Sequence, residues 1–226
     1  MQTRVVIIVC MSVLGLVGVC QAQSLRQLHN GCDHPTKSRT PECVAAMHRY
    51  CSSPFPGSAG ISQEVGVASV GVACIPTTTV EVVELRTLQA KVSSCMKTHS
   101  QSQSCMSAAH RWCSDTGRGG SGVAQEVGTR LFCAGGPKGG GCAQVAEFAV
   151  ACFNPTSYQI VPIGDLAALH AGCNSTAKSQ HADCVAAIHR WCTNSGSGGG
   201  VAQETGNGVL GVACFSVAKY ADVPLR

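Results

Sequence analysis

Three times in this chain a histidine and an arginine stand side by side, and each time a glutamine–glutamate pair follows. The sets are His48-Arg49 with Gln63-Glu64, His110-Arg111 with Gln125-Glu126, and His189-Arg190 with Gln203-Glu204. The His-to-Gln separations are 15, 15 and 14 positions (63 − 48, 125 − 110, 203 − 189). Two chemistries suit such a set. Imidazole and carboxylate can act as acid and base in cleaving a phosphodiester, with Glu as base and His as acid. Imidazole, guanidinium, amide and carboxylate groups also complement sugar hydroxyls, which both donate and accept. Catalysis needs one good site, whereas three matched sites serve avidity, raising apparent affinity by roughly 10² on a multivalent surface. No nucleophile motif such as G-x-S-x-G accompanies the sets. The expectation is therefore a binding protein, not an enzyme, with no metal and no cofactor.

Structural roles compete for the same residues. Each arginine can pair with the glutamate inside its own unit, or simply be solvated. The histidines can be satisfied residues at the margin of a core. Tyr50, Trp112 and Trp191 stand two positions after the histidines and can pack inside rather than stack on a sugar. His29 and His170 have no match in the middle copy and read as structural.

The elements that position these groups form a repeat. Cys43-Val-Ala-Ala-Met-His-Arg-Tyr-Cys51 recurs as Cys105-Met-Ser-Ala-Ala-His-Arg-Trp-Cys113 and as Cys184-Val-Ala-Ala-Ile-His-Arg-Trp-Cys192. A Gly/Ser-rich stretch and the Gln-Glu pair follow. An apolar run then closes each copy: Gly71-Val-Ala-Cys74, Ala149-Val-Ala-Cys152 and Gly211-Val-Ala-Cys214. Cys32, Cys95 and Cys173 precede the three segments. The spacing predicts helices over Glu42–Cys51, Ser104–Cys113 and Asp183–Cys192, with Cys43, Ala46, Met47, Tyr50 and Cys51 on one face. His48 falls at the margin of that face and Arg49 points away. Val-rich segments after the glycines suit a short hairpin. The expected fold is three tandem, small, disulfide-rich α+β units, each of two short helices plus a β-hairpin. Their expected bounds are residues 23–79, 80–158 and 159–226.

Helix geometry constrains the cysteines. Eight residues of helix rise about 12 Å, beyond the ~7 Å Cα separation a disulfide spans. Cys43 and Cys51 therefore bond elsewhere. A short loop favours Cys32–Cys43 with Cys51–Cys74, and leaves Cys32–Cys51 with Cys43–Cys74 open. The middle copy carries an insertion with Cys133 and Cys142, expected to bond to each other.

Residues Val5–Val19 form an uncharged apolar run after Arg4, ending at Cys20-Gln21-Ala22. This reads as a signal peptide over residues 1–22, too short for the roughly 20 residues of a membrane helix. Cleavage would leave 14 of the 16 cysteines (16 − 2), an even number that fits disulfides in an exported protein. No CxxC pair supports a zinc ribbon. The net charge of +4, or +3 without Arg4, forms no basic run, so neither nucleic acid nor an anionic membrane is an expected partner. Asn174-Ser175-Thr176 is a sequon open to glycosylation.

The threefold pattern Cys-x-x-Ala-x-His-Arg-Trp-Cys, Gly-Val-Ala-Gln-Glu, Val-Ala-Cys resembles the egg and gonad lectins of sea hares and related gastropods. The resemblance covers nearly all of the chain after residue 22. It implies a secreted lectin of three repeats that binds D-galactose and D-galacturonic acid, with glycoconjugates as partners and a homodimer left open. It also implies that the His-Arg and Gln-Glu pairs are the sugar-binding groups. The first copy departs from the others, with Tyr50 in place of Trp and Ser-Ala-Gly-Ile-Ser before Gln63. The alternatives are an egg-mass matrix or defence protein such as a hydrolase inhibitor and, behind these, a nuclease-like enzyme.

Overall fold

The computed structural model describes residues 23–133 and 142–226, the side chains at 130–133, 142 and 143 excepted. Residues 1–22, the expected signal peptide, lie outside the described residues. So do the side chains of Cys133 and Cys142. In chain order the elements are α1 (Leu25–Leu28), α2 (Pro41–Ser52), β1 (Ser58–Val65), β2 (Ser69–Pro76), β3 (Thr79–Glu84), α3 (Leu85–Gln89), α4 (Gln103–Asp115), β4 (Ser121–Cys133), β5 (Cys142–Phe153), β6 (Ser157–Pro162), α5 (Ile163–Leu169), α6 (Ala182–Asn194), β7 (Gly199–Thr205), β8 (Val209–Phe215) and β9 (Lys219–Pro224). The three long helices span the segments expected for them.

The expectation of small two-helix-plus-hairpin α+β units is overturned. The described residues hold nine strands in three antiparallel sheets beside six helices, so the fold is mostly β. Each hairpin gains a third strand, in the orders β1-β2-β9, β3-β5-β4 and β6-β8-β7. The strand that follows a hairpin in sequence leaves it and joins the sheet of the next unit. The last one, β9, returns to the first. Unit 1 therefore combines residues 24–76 with 219–225. The segment 159–226 gives its final strand to the first unit, and the ring is closed by non-covalent pairing from Ser69↔Pro224 to Cys74↔Lys219.

The splice falls inside a helix. The Leu225 carbonyl accepts from the Arg26 amide at 3.2 Å, as a residue one turn earlier in α1 would. The Leu225 amide donates to Ala68 O at 3.0 Å, matching Ile163 to Gly208 O at 2.9 Å in unit 3. Val223 and Leu225 are buried in the core of unit 1.

Strand alternation builds two kinds of core. Val70, Val72 and Cys74 face their own helix, with Cys43, Met47 and Cys51. The intervening Ala73 and Ile75 face inward, where they meet Ala151 and Phe153 of unit 2 and Ala213 and Phe215 of unit 3. With both faces covered, these strands read as continuous apolar runs. Each long helix also packs on the first hairpin strand of the next unit: α2 on β4, α4 on β7, α6 on β1. Strand and helix of one unit touch at Gly60, where a Cβ would stand 2.2 Å from the Met47 carbonyl.

Among the described residues six disulfides follow one scheme. Cys32–Cys43, Cys95–Cys105 and Cys173–Cys184 tie the loop to the start of the long helix. Cys51–Cys74, Cys113–Cys152 and Cys192–Cys214 tie its end to the central strand. Between the two pairings left open by the sequence, the structure has the short-loop one. At the insertion the backbone sets Cys133 opposite Cys142 in the β4–β5 ladder. Among the described residues no helix is long and apolar enough to cross a membrane.

Candidate functional site

The His-Arg and Gln-Glu pairs do converge, but between units rather than within them. In β1, β4 and β7 the ladder slips at the same place: between Ser62 and Glu64, Ala124 and Glu126, Ala202 and Glu204. The skipped residue is the glutamine each time. A bulge of this kind re-aims side chains. Here it sends the glutamine inward and leaves the glutamate at the surface.

Gln63, Gln125 and Gln203 are all buried. The Gln63 amide bridges from unit 1 to unit 3: its Oε1 accepts from Gly200 N at 3.0 Å, and its Nε2 donates to Gly200 O at 3.2 Å. The same Oε1 lies 3.1 Å from His189 Nδ1. Gln125 Oε1 accepts from Gly60 N at 3.2 Å, linking units 2 and 1. At Gln203 the backbone carbonyl makes the link, accepting from Ser107 Oγ at 2.6 Å and Gln103 Nε2 at 2.7 Å. Its amide atoms have no partner among the described residues. The glutamines thus latch neighbouring units together and are out of a ligand's reach.

The arginines meet the glutamates on the outside of the same junctions. Arg49 reaches Glu126 (Nε–Oε1 3.1 Å), Arg111 reaches Glu204 (2.7 Å), and Arg190 reaches Glu64 (3.1 Å). The pairing runs 1→2, 2→3 and 3→1, so an Arg–Glu pair inside each unit is replaced by a cyclic one. Arg111 forms a full fork, with Nη2 to Glu204 Oε2 at 2.9 Å. Each guanidinium is also anchored to its own unit through Nη1, to Leu28 O, Lys91 O or Leu169 O. Hydrogen bonding to Glu204 raises the Arg111 pKa.

The histidines lie half-buried beside these pairs. Burial lowers the pKa of His48, His110 and His189, against the opposing pull of Glu126, Glu204 and Glu64 respectively. Two of them carry a partner that the sequence reading missed. Tyr158 stacks on His110 with ring centroids 5.3 Å apart, and Tyr220 stacks on His189 at 5.2 Å. The outer tyrosine faces stay open, at 41% and 38% exposure. Each tyrosine stands six positions after the closing cysteine (158 − 152, 220 − 214), and that spacing was the available signal. At the 1–2 junction the same offset gives Val80 (80 − 74), so His48 has no tyrosine.

Of the aromatic trio, Tyr50 and Trp112 are buried in their cores, while Trp191 is only half-buried. His170 lies 3.8 Å from Asp183, a local contact consistent with a structural role. Asn174 is exposed, its Oδ1 accepting from Lys178 Nζ at 3.0 Å. Among the described residues no cluster of His, Cys, Asp or Glu is arranged to hold a metal.

Comparison of the chain with protein-family models, with curated proteins and with solved structures returned no match.

Proposed function

We propose that this is a secreted, multivalent carbohydrate-binding protein for galactose-type sugars, whose binding surfaces lie at the unit junctions. The observation that supports the reading is the recurrence of one solvent-facing cluster: a half-buried histidine beside a half-exposed Arg–Glu pair, at all three junctions. At two of them a tyrosine adds a flat exposed face of the kind that packs against a pyranose. Glu126, Glu204 and Glu64 retain acceptor capacity for sugar hydroxyls beyond their bonds to arginine. The galactose class itself rests on the resemblance of the repeats to the gastropod lectins.

The arginine contacts favour one class of sugar over another. Each arginine already spends its Nε–H on a glutamate and an Nη1–H on a carbonyl. A uronate must therefore compete with that glutamate, so neutral galactosides are the better ligands and galacturonic acid the weaker one.

A purely structural clasp is the second reading, because the same ion pairs join the units. Glu126→Gln and Glu204→Gln, singly and together, separate the two. Loss of a hydrogen bond to a charged group costs about 1.5–3 kcal/mol, or roughly ten- to a hundredfold in site affinity. Titration calorimetry with methyl galactoside and inhibition of cell agglutination should both register it in the double variant. If the double variant stays folded and binds with unchanged affinity and stoichiometry, the glutamates are clasp residues only.

A further inference from the structure

The long helix of each unit carries an aromatic residue two positions after its histidine. The three copies treat the space beside that ring differently. In unit 1 Tyr50 is buried and Phe55 packs against the same core. In unit 2 the guanidinium of Arg118 lies over Trp112, 4.8 Å from the ring centroid, and is held there by Glu81 at 2.7 Å. Beside it Asp115 is tied to Lys91 at 2.7 Å. Every charged group around that ring is thus internally paired.

Unit 3 lacks each of these covers. Ser197 occupies the place of Arg118; both donate their amide to the carbonyl of the preceding helix cysteine, Cys192 or Cys113. Gln159 replaces Glu81, Leu169 replaces Lys91 and Asn194 replaces Asp115, counting from the aligned cysteines. What remains is an open cleft of about 280 Å³ lined by Gln159, Asp165, Leu169, Trp191, Asn194 and Ser195. Gln159 orients the indole by accepting its N–H at 3.1 Å. The side chains of Asp165 and Asn194, both exposed, make no hydrogen bond or ion pair among the described residues.

We infer that this cleft is a second class of binding site, present in unit 3 alone, for a single neutral or cationic hexopyranose. For the class of ligand the inference rests on the carbohydrate reading above; the place is independent of the junctions. A half-buried indole beside unengaged carboxylate and amide groups offers one apolar wall and several hydroxyl partners, the usual make-up of a small polar-ligand site. The volume falls just below the ~300–1,000 Å³ common for drug-sized ligands and suits one ring. Asp165 favours an ammonium sugar and repels a uronate.

The test transplants the cover of unit 2. Ser197→Arg with Gln159→Glu should lay a guanidinium over Trp191 and close the cleft, leaving the junctions alone. Asp165→Ala, at an exposed position, is the milder companion. Methyl β-galactoside, galactosamine and galacturonate are titrated by calorimetry and by tryptophan emission. Trp191 reports strongly because Trp112, the only other tryptophan, is covered. The wild-type protein should show an emission change that saturates, with galactosamine at least as tight as the galactoside and galacturonate weakest. The double variant should lose that change and one binding equivalent. Asp165→Ala should erase the preference for galactosamine. Should the double variant keep full stoichiometry and emission response, the cleft assignment is overturned while the lectin reading stands. If the wild-type protein binds none of the three sugars, both fall.

Discussion

The junction between units 1 and 2 differs from the other two at a matched pair of positions. At the 2–3 and 3–1 junctions a tyrosine lies over a glycine: a Cβ on Gly211 would stand 2.1 Å from the Tyr158 hydroxyl, and one on Gly71 2.1 Å from that of Tyr220. At the 1–2 junction the tyrosine is Val80, and the glycine is Ala149. A Cβ is excluded where the tyrosine hydroxyl lies and is present where valine, with no hydroxyl to collide with it, replaces the tyrosine. The copies diverged here by exchanging complementary pairs, not single residues. One consequence is that two junctions present an aromatic platform and the third does not.

The comparison breaks most severely if β9 is removed. Truncation after Ala218 takes away Tyr220 and the edge of the unit 1 sheet, together with Val223 and Leu225. Burial of those two side chains alone is worth about 3–6 kcal/mol. Unit 1 should lose amide-exchange protection, while the strands of unit 3, contiguous in sequence, keep theirs. Equal loss in all units would show the ring folds only as a whole.

Next in size is the tyrosine–glycine pair. Gly211→Ala forces Tyr158 off His110 and should cost on the order of 1–3 kcal/mol, as overpacking does. Tyr158→Val should restore most of it, giving a coupling of roughly 0.5–3 kcal/mol in a double-mutant cycle. Ala149→Gly at the valine junction should cost only about 0.5–1 kcal/mol through backbone freedom. Denaturant midpoints for the four variants decide; additive effects would mean the pair is not coupled.

Acidification should act on all three junctions. Burial holds the three histidines below their ordinary value of 6.5. Between the folded and unfolded values the unfolded chain binds more protons. Their contribution to stability is therefore complete above about pH 6.5 and is lost as the pH falls through the lower folded values. Melting temperatures from pH 7.5 down to 5 should decline, and His110→Asn with His189→Asn should flatten the decline. At the opposite extreme, burial chiefly, with Glu64 adding to it, pushes Tyr220 up to about 12. Its phenol should escape ionisation at pH 10.5 in an ultraviolet titration.

The smallest effect belongs to the ion pairs. Their side chains are 26–48% exposed, so each is worth about 0.2–1 kcal/mol. Glu64→Gln should shift the denaturation midpoint within that range, and 1 M salt should remove most of the difference. A larger loss would assign Glu64 a buried role it does not have here.

Much of the local architecture was legible in the sequence. The cysteine frame repeats, the helical face follows from the 3.6-residue period, and an eight-residue helical spacing excludes Cys43–Cys51. What lay hidden is the exchange between units. β3, β6 and β9 fall outside the cysteine frame, and only one residue, the fifth, is common to all three (TVEVVE, SYQIVP, KYADVP), so little in them names the sheet they join. The Gln-Glu pair misleads for a related reason. On a regular strand the two point to opposite faces of one sheet, but the bulge turns the glutamine into the neighbouring unit. The status of Trp191 was equally hidden. All three aromatics sit on the same helical face, and residues outside the helix, Arg118 with Glu81 in unit 2 against Ser197 with Gln159 in unit 3, decide whether the tryptophan is covered.

The returning strand also sets an order of events in folding. The β6–β8 partners lie 47–57 positions apart (209 − 162, 214 − 157) and the β3–β5 partners 63–73 (147 − 84, 152 − 79), whereas the β2–β9 partners lie 145–155 apart (219 − 74, 224 − 69). A threefold longer loop raises the closure cost by only about 1 kcal/mol, so distance along the chain does not forbid the pairing. It does make the pairing conditional, because β9 comes near β2 only once two intervening units have bent the chain around the central core. Until then the β2 edge stands open, and the complementary strand of another molecule fits it equally well. The step that completes the ring is therefore the one at which concentration decides between a closed monomer and a strand-exchanged chain of copies.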